Sequence, residues 1–409
     1  MRLKIIIAGL MMGLIAFAPL TAMADETATL RIILTGDHYE LPPKNGRGGY
    51  AKLASVVNWE KAGAEHSIFV HAGDAYSPSL LSSMDKGKST VDMLNDVGVD
   101  YMVLGNHEWD FGPEIIRERI WQSKFPILAS NARDKDGFPI DGTVNTAMVT
   151  VGPFRVGIMG LTTTDTKEIS TPGTDNFLPV LDTAANLAKE LKGQGANLIV
   201  ALAHLDFTED IKLVRSDIVD VVLSGHDHYY IAWDNDKVIW MDSGENSEKV
   251  GVIDVHMKSY IKRGKKRFDW NAEMRFVDTK NVPEDAAIAS KIKDYDKFLK
   301  SELDIEIGKT STELDSRRNT VRTREAAIGN LIADAMRDGV DADIGIANGG
   351  GIRAKKIYAP GTSITRRDML TEMPFGNVVV KLRLTGAQIW DALENGVSQV
   401  ENNAGRFPQ

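Results

Sequence analysis

Apolar residues in this chain fall first into short unbroken runs. From Thr29 to about Val255 the runs are LRIILTG, HSIFVHAG, YMVLGN, FPILASN, FRVGIMGL, NLIVALAH and VDVVLSGH. Runs of this length, without polar alternation, suit strands buried on both faces. Between two of them TAANLAKELKGQG has helical spacing and a glycine stop. Strands alternating with helices predict an α/β architecture. YIKRGKKRFDW (260–270) breaks the rhythm and reads as a solvated hairpin tip rather than a ligand patch. Pro283 opens a stretch in which Ile288, Ile292, Tyr295 and Leu299 recur at helical spacing, a helix bridging two domains. A second α/β region follows from Ile305, with EAAIGNLIADAM as a helix and ADIGIANGGGIR as a strand entering a glycine-rich loop.

At the amino terminus, Arg2 and Lys4 precede the apolar IIIAGLMMGLIAFAPL, and Ala22–Met23–Ala24 offers a small-residue cleavage site. This predicts an export signal over 1–24 cut after Ala24, and a periplasmic or secreted protein. The alternative is an uncleaved anchor, although the run is short for a span and Pro19 interrupts it. No later stretch is a second membrane candidate. Residues 1–24 carry two basic and no acidic groups, so their removal takes the formal net charge from −9 to −11. An acidic chain argues against nonspecific binding of a nucleic-acid polymer. There is no cysteine. A thiolate nucleophile or ligand is therefore excluded, and any metal must be held by oxygen and nitrogen.

The ends of the apolar runs carry the chemistry. Asp37 follows RIILTG, Asp74 follows SIFVHAG, and Asn106 and His107 follow YMVLG. His204 follows NLIVALA, and His226 and His228 follow VDVVLSG. In a mostly parallel sheet, the carboxyl ends of the strands share one edge, where ligands bind. Carboxylates and imidazoles crowded there need a cation. Taken singly, each is a weak signal: a lone buried histidine is more often a hydrogen-bonded core residue than a ligand, GNHE alone reads as a turn, and SGHDH alone as a surface loop. Their order along the chain carries the inference: D, GD, GNHE, H, then GHxH.

That series resembles the calcineurin-like metallophosphoesterases, and within them the bacterial 5′-nucleotidase/UDP-sugar hydrolase family. The resemblance spans residues 29–409. It implies a four-layer β-sandwich flanked by helices over 25–282, a linker helix over 283–304 and an α/β substrate domain over 305–409. It also implies two divalent ions of the zinc, manganese or cobalt kind, one held by Asp37, Asp74 and His228 and the other by Asp74, Asn106, His204 and His226. Such a pair clamps a phosphate and activates water. His107 and Asp110 match the catalytic pair. His107 would stabilise phosphoryl charge or protonate the leaving oxygen, and Asp110 would orient it. Asp110 could instead cap the helix that follows.

On the substrate side, Arg322 of VRTREAAIGNLIADAM and Arg353 of NGGGIR match arginines that grip anionic groups. Asn348 matches a base-contacting position, and Phe407 of GRFPQ matches one of two stacking aromatics. The plainer readings are a surface arginine for Arg322, a packed core ring for Phe407 and a tight turn for the glycines. PFGN and KLRLTGAQI fit the strand-turn pattern beyond. The family pattern continues past Gln409, so the second domain reads as incomplete. The implied activity is hydrolysis of nucleoside 5′-monophosphates. The alternatives are esters such as nucleotide sugars, cyclic nucleotides or sulfates, and a degenerate binder without turnover.

One position departs from the pattern. A ligand histidine is expected at 39, and the chain has His38 followed by Tyr39. Neighbours in an extended segment face opposite ways. His38 should therefore turn away from the ion at Asp37, and Tyr39 should fill the space, its hydroxyl beside a water on the ion. A phenol with a pKa of about 10 is a poorer ligand than neutral imidazole at pH 7. The expectation is a weakened first metal position, not an abolished one.

Overall fold

A computed structural model describes residues 25–375 and 377–409. The expected export signal over 1–24 lies outside the described residues. No helix among them is long and apolar enough to cross a membrane.

In chain order the first strands are β1 (Glu26–Thr35), β2 (His66–His71), β3 (Tyr101–Val103), β4 (Ile127–Leu128) and β5 (Ala132–Arg133). Next come β6 (Thr146–Val151), β7 (Phe154–Thr162), β8 (Asn176–Phe177), β9 (Leu198–His204) and β10 (Val221–Ser224). The last four before the bridging helix are β11 (Tyr230–Asp234), β12 (Ile239–Ser243), β13 (Lys249–Lys262) and β14 (Lys265–Asp278). Each of the seven apolar runs contains a strand. They do not form one sheet. Two six-stranded sheets are ordered β14-β13-β1-β2-β3-β4 and β11-β12-β10-β9-β7-β6. Both have a parallel centre, and every outer strand is antiparallel to its neighbour except β4, which runs parallel to β3.

Alternation along the strands explains the layers. In β1, Ile32 and Leu34 face β9 and β10 residues such as Val200 and Leu223 in the core between the sheets. Ile33 faces the other way, packing with Leu53 and Val56 of the helix Tyr50–Ala62. In β9, Ile199 and Ala201 pack outward against Ala184 and Leu191 of the helix Val180–Gly193. Both faces of both sheets are thus covered, which is why the strands read as continuous apolar runs. The result is a helix–sheet–sheet–helix sandwich.

The basic stretch 260–270 is the end of the β13–β14 hairpin, where Lys262 pairs with Lys265. Arg263 and Gly264 turn it with positive φ of 54° and 73°. The bridging helix spans Ala286–Leu303 and is capped by Asp285, which accepts from Ala287 N and Ile288 N at 3.0 Å each. Pro283 therefore precedes the helix instead of opening it. Ile288 and Ile292 are buried against the first sheet's helices, with Tyr295 and Leu299 packed beside them.

Beyond this helix a separate small core gathers Leu314, Val321, Ile328, Ile332, Ile352, Tyr358 and Ile364. The expected helix forms over Ala327–Gly339. Two expected strands do not. Residues 342–348 make only an isolated bridge, Asn348 to Pro408, and 377–384 belong to no ladder among the described residues. Ile344, Val378, Val380 and Leu382 are exposed. An apolar run becomes a strand only where a neighbour supplies backbone partners.

Candidate metal centre

The centre lies on the seam where the carboxyl ends of both sheets meet. Asp37, Asp74 and Asn106 follow β1, β2 and β3 of one sheet; His204 ends β9 of the other, and His226 and His228 follow its β10. Each of Asp37, Asp74, Asn106 and His226 comes directly after a glycine. The reason is steric. A Cβ on Gly105 would overlap Asp74 Oδ1, and one on Gly225 would stand 2.6 Å from Asp37 Oδ2. Three of these four turn sharply, and so does His228: Asp37, Asp74, His226 and His228 have φ of 51°, 55°, 87° and 59°. Left-handed backbone at non-glycine residues is strained and concentrates at functional sites.

His204 is fully buried, and its ring Nδ1 lies 2.7 Å from the Ala72 carbonyl oxygen, to which it donates. That bond assigns the Nδ1–H tautomer and leaves Nε2 as an acceptor. Nε2 nevertheless lies 3.2 Å from each of Asp74 Oδ2, Asn106 Oδ1 and His226 Nδ1. Lone pairs converging on one point fit a cation. The spacing fits too, because donors held tetrahedrally at about 2.0–2.1 Å from one ion stand about 3.3 Å apart. Asp74, His204 and His226 all bring a donor atom within 4.8 Å of one another.

The charge balance agrees. Burial lowers the pKa of His204, but the Asp74 carboxylate outweighs it and raises the value to about 10, so a proton and a cation compete for the Nε2 lone pair. Burial likewise opposes, and Asp74 with Asp110 overcomes, so that His107 rises to about 9. The carboxylates draw positive charge to the seam.

His228 Nε2 is 3.4 Å from Asp37 Oδ1, and the His226 N–H donates to Asp37 Oδ2 at 3.0 Å. His107 Nδ1 is 2.7 Å from Asp110 Oδ2, and Asp110 Oδ1 accepts from Ser170 Oγ at 2.8 Å. Asp110 caps no following helix; Gly112 precedes Pro113–Gln122. His107 Nε2 is 4.0 Å from Asp74 Oδ2. All six metal-set residues and the His107–Asp110 pair are therefore brought together.

His38 turns away from Asp37. It is buried and stacked on Tyr50 with ring centroids 3.9 Å apart, its Nδ1 3.0 Å from Ser247 Oγ. Burial pushes its pKa down to about 3. Tyr39 turns in. Sequence reasoning overlooked Glu108, whose buried carboxylate accepts from the N–H groups of Asp74, Ala75, Tyr76 and Gly105 at 2.6–3.0 Å. The signal was present as the last letter of GNHE.

The substrate-side residues gather in the second domain. Asn348 Nδ2 donates to Gly405 O at 3.3 Å, and Gly349 N donates to Phe407 O at 2.7 Å. Arg322 Nη1 lies 3.4 Å from Asn403 O. Burial and the positive charges of Arg318 and Arg353 lower the Arg322 pKa, so the cluster suits an anion. Arg353 lies over the Phe375 ring at 5.2 Å. Phe407 is half-buried.

Comparison with known proteins gives two family matches: Calcineurin-like phosphoesterase over residues 30–230 and 5′-nucleotidase, C-terminal domain over 306–409. The chain is 30% identical over 406 residues to the trifunctional nucleotide phosphoesterase protein YfkN of Bacillus subtilis, covering 88% of this chain and 27% of that protein. It thus spans about a quarter of that relative's length. It is 30% identical over 396 residues to the 5′-nucleotidase of Bos taurus, covering 88% of this chain and 68% of that one. Among solved structures, a 5′-nucleotidase precursor from Thermus thermophilus superposes with a TM-score of 0.71 at 32% identity, covering 93% of this chain and 80% of the other.

Proposed function

Because the chain belongs to the 5′-nucleotidase family of metal-dependent phosphoester hydrolases, we propose that it hydrolyses nucleoside 5′-monophosphates to nucleoside and phosphate. The observation that carries this reading is the His204 Nε2 contact with three donors at 3.2 Å, with the His107–Asp110 pair beside it. Asp37, Asp74 and His228 would hold one divalent ion, and Asp74, Asn106, His204 and His226 the other. Bound there, the ions supply positive charge to phosphoryl oxygens and lower the pKa of water.

The chain's own groups do the rest. Asp110 accepts from His107 Nδ1, which fixes the ring and leaves Nε2 to face the phosphoryl group. From there His107 either offsets developing charge or protonates the leaving oxygen. Arg322 and Arg353 bind anionic oxygens, Asn348 contacts the base and Phe407 stacks on it. We assign these roles to domains 25–282 and 305–409, joined by the helix between. The partner is a small nucleotide. The amino-terminal pattern supports export with a mature start at Asp25, which intact mass of the exported protein checks.

The test is phosphate release from AMP with added Mn²⁺, Zn²⁺ or Co²⁺, beside a panel of other nucleotide esters. Release from AMP above the panel supports the reading. Bound metal without release from any ester would make the chain a binder.

A further inference from the structure

The Tyr39 hydroxyl sits among two carboxylate oxygens and an imidazole nitrogen and bonds well to none. Its oxygen is 3.4 Å from Asp37 Oδ1, 3.4 Å from Asp74 Oδ2 and 3.3 Å from His228 Nε2. A hydrogen bond from a hydroxyl to oxygen spans about 2.5–3.0 Å, and one proton cannot serve three partners. The lengths fit a different figure. Asp37 Oδ1 and His228 Nε2 are also 3.4 Å apart. Three distances from Tyr39 and this fourth make four edges of a tetrahedron. Its edge is the one that donors about 2.0–2.1 Å from a shared ion would have, about 3.3–3.4 Å. The His204 cluster shows the same spacing at the other position.

The backbone holds Tyr39 in that place. Its N–H and that of Glu40 both donate to Asn246 Oδ1, at 3.0 and 3.1 Å. Asn246 N in turn donates to Asp37 O at 2.9 Å. On the far side, His38 is locked by Tyr50 and Ser247. With both flanks anchored beyond the left-handed turn at Asp37, the Tyr39 ring is directed at the carboxylates.

We propose that Tyr39 is a direct ligand of the first ion, completing Asp37, Asp74 and His228. The proposal rests on the metal-centre reading above and goes beyond it, since Tyr39 was expected to fill the space with its hydroxyl beside a water on the ion and not to bind the ion itself. The phenol releases its proton to solvent as its oxygen binds. The two positions then differ in chemistry. The first offers three oxygens and one nitrogen; the second, from Asp74, Asn106, His204 and His226, offers two of each. Oxygen-rich sites favour harder ions, manganese or ferric iron over zinc, relative to imidazole-rich ones. Tyr39 therefore makes the first position the harder of the pair.

The test reads metal directly. The full chain is stripped with chelator, reloaded with Mn²⁺, Zn²⁺ or ferric iron, desalted and analysed for metal, beside Tyr39→Phe, Tyr39→His, Tyr39→Ala and His226→Ala. The parent should retain close to two ions per chain. Tyr39→Phe, which keeps the ring and the fold, should retain close to one, with affinity at the lost position falling at least about 10-fold. Tyr39→His should regain the second ion and shift preference from Mn²⁺ towards Zn²⁺. Ferric-loaded parent should show a visible phenolate-to-iron absorption that Tyr39→Phe and Tyr39→His lack and His226→Ala keeps. Parental stoichiometry in Tyr39→Phe together with no such absorption in the parent would overturn the proposal. A gain of an ion in Tyr39→Ala would also overturn it, because the hydroxyl would then be a plug. Both results leave the metal-centre reading standing; a parent that retains no ion at all would remove both.

Discussion

At the scale of single residues, the centre depends on groups that hold other groups in place. Glu108 collects four buried N–H donors from the turn that carries Asp74 and from Gly105. Each orphaned buried donor costs about 1–3 kcal/mol. Glu108→Ala is therefore expected to lower unfolding stability by more than about 3 kcal/mol in urea titration, and to weaken metal retention because Asp74 loses its support. Asp110→Asn tests a different link. It keeps shape and a hydrogen bond, but its amide can present an N–H to His107 Nδ1 and misorient the proton. The expected result is a fall in kcat of about 10²–10⁴, with melting temperature and metal content near the parent's. A loss of metal in this variant would show that Asp110 supports the ligand cage instead.

At the scale of elements, the seven strands were legible because strands buried on both faces leave unbroken apolar runs. The division into two sheets was not legible, because it depends on which distant runs pair. The glycines before the ligands were visible as letters. The left-handed backbone of Asp37, Asp74, His226 and His228 was not, since no propensity favours it. His38 does turn away and Tyr39 in, as expected, but the extended geometry behind that expectation is absent: β1 ends at Thr35, Asp37 is left-handed, and contacts with Tyr50, Ser247 and Asn246 hold the pair. The runs at 342–348 and 377–384 misled, because apolar content says nothing about a ladder partner. The linker helix was legible from its spacing, and its burial makes a prediction. Ile292→Ala should cost about 2–5 kcal/mol, whereas the exposed neighbour Lys293→Ala should stay within about 0.5 kcal/mol, both by denaturant titration. A charge network ties other elements together. Arg31 of β1 binds both oxygens of Asp254 of β13, at 2.7 and 2.9 Å, and Arg275 of β14 adds a bond at 3.1 Å. Burial alone would raise the Asp254 pKa; the two arginines outweigh it and hold it below the usual range. A depressed carboxylate contributes stability above its unfolded value, about 3.9, and loses it as pH falls through the folded value. The stability deficit of Asp254→Asn should thus be full at pH 7 and narrow as pH drops below about 4.

At the scale of the whole molecule, the chemistry is divided between two cores. Every candidate metal ligand lies between Asp37 and His228, among the clusters that build the sandwich. Arg322 and Arg353 directly follow Val321 and Ile352 of the small core around Ile328 and Tyr358, and Asn348 lies in the same stretch of chain. Ions that bind only the folded sandwich stabilise it by mass action, about 2.7 kcal/mol at a hundredfold excess over Kd. They contribute nothing to the second core directly. Calorimetry of the loaded chain and of the chain in excess chelator should therefore show an asymmetric response. The transition of the sandwich should move down by several degrees and regain its position on adding Mn²⁺ or Zn²⁺. The transition of the second domain should stay within about 1 °C, since no ligand linkage reaches it. A nucleotide added without metal should do the reverse, raising the second transition through Arg322, Arg353 and Asn348. Equal shifts of both transitions under chelation would mean that the bridging helix, through Ile288 and Ile292, couples the two cores into one cooperative unit. Metal and nucleotide would then stabilise the same folded state, and each should raise the affinity for the other by the same factor.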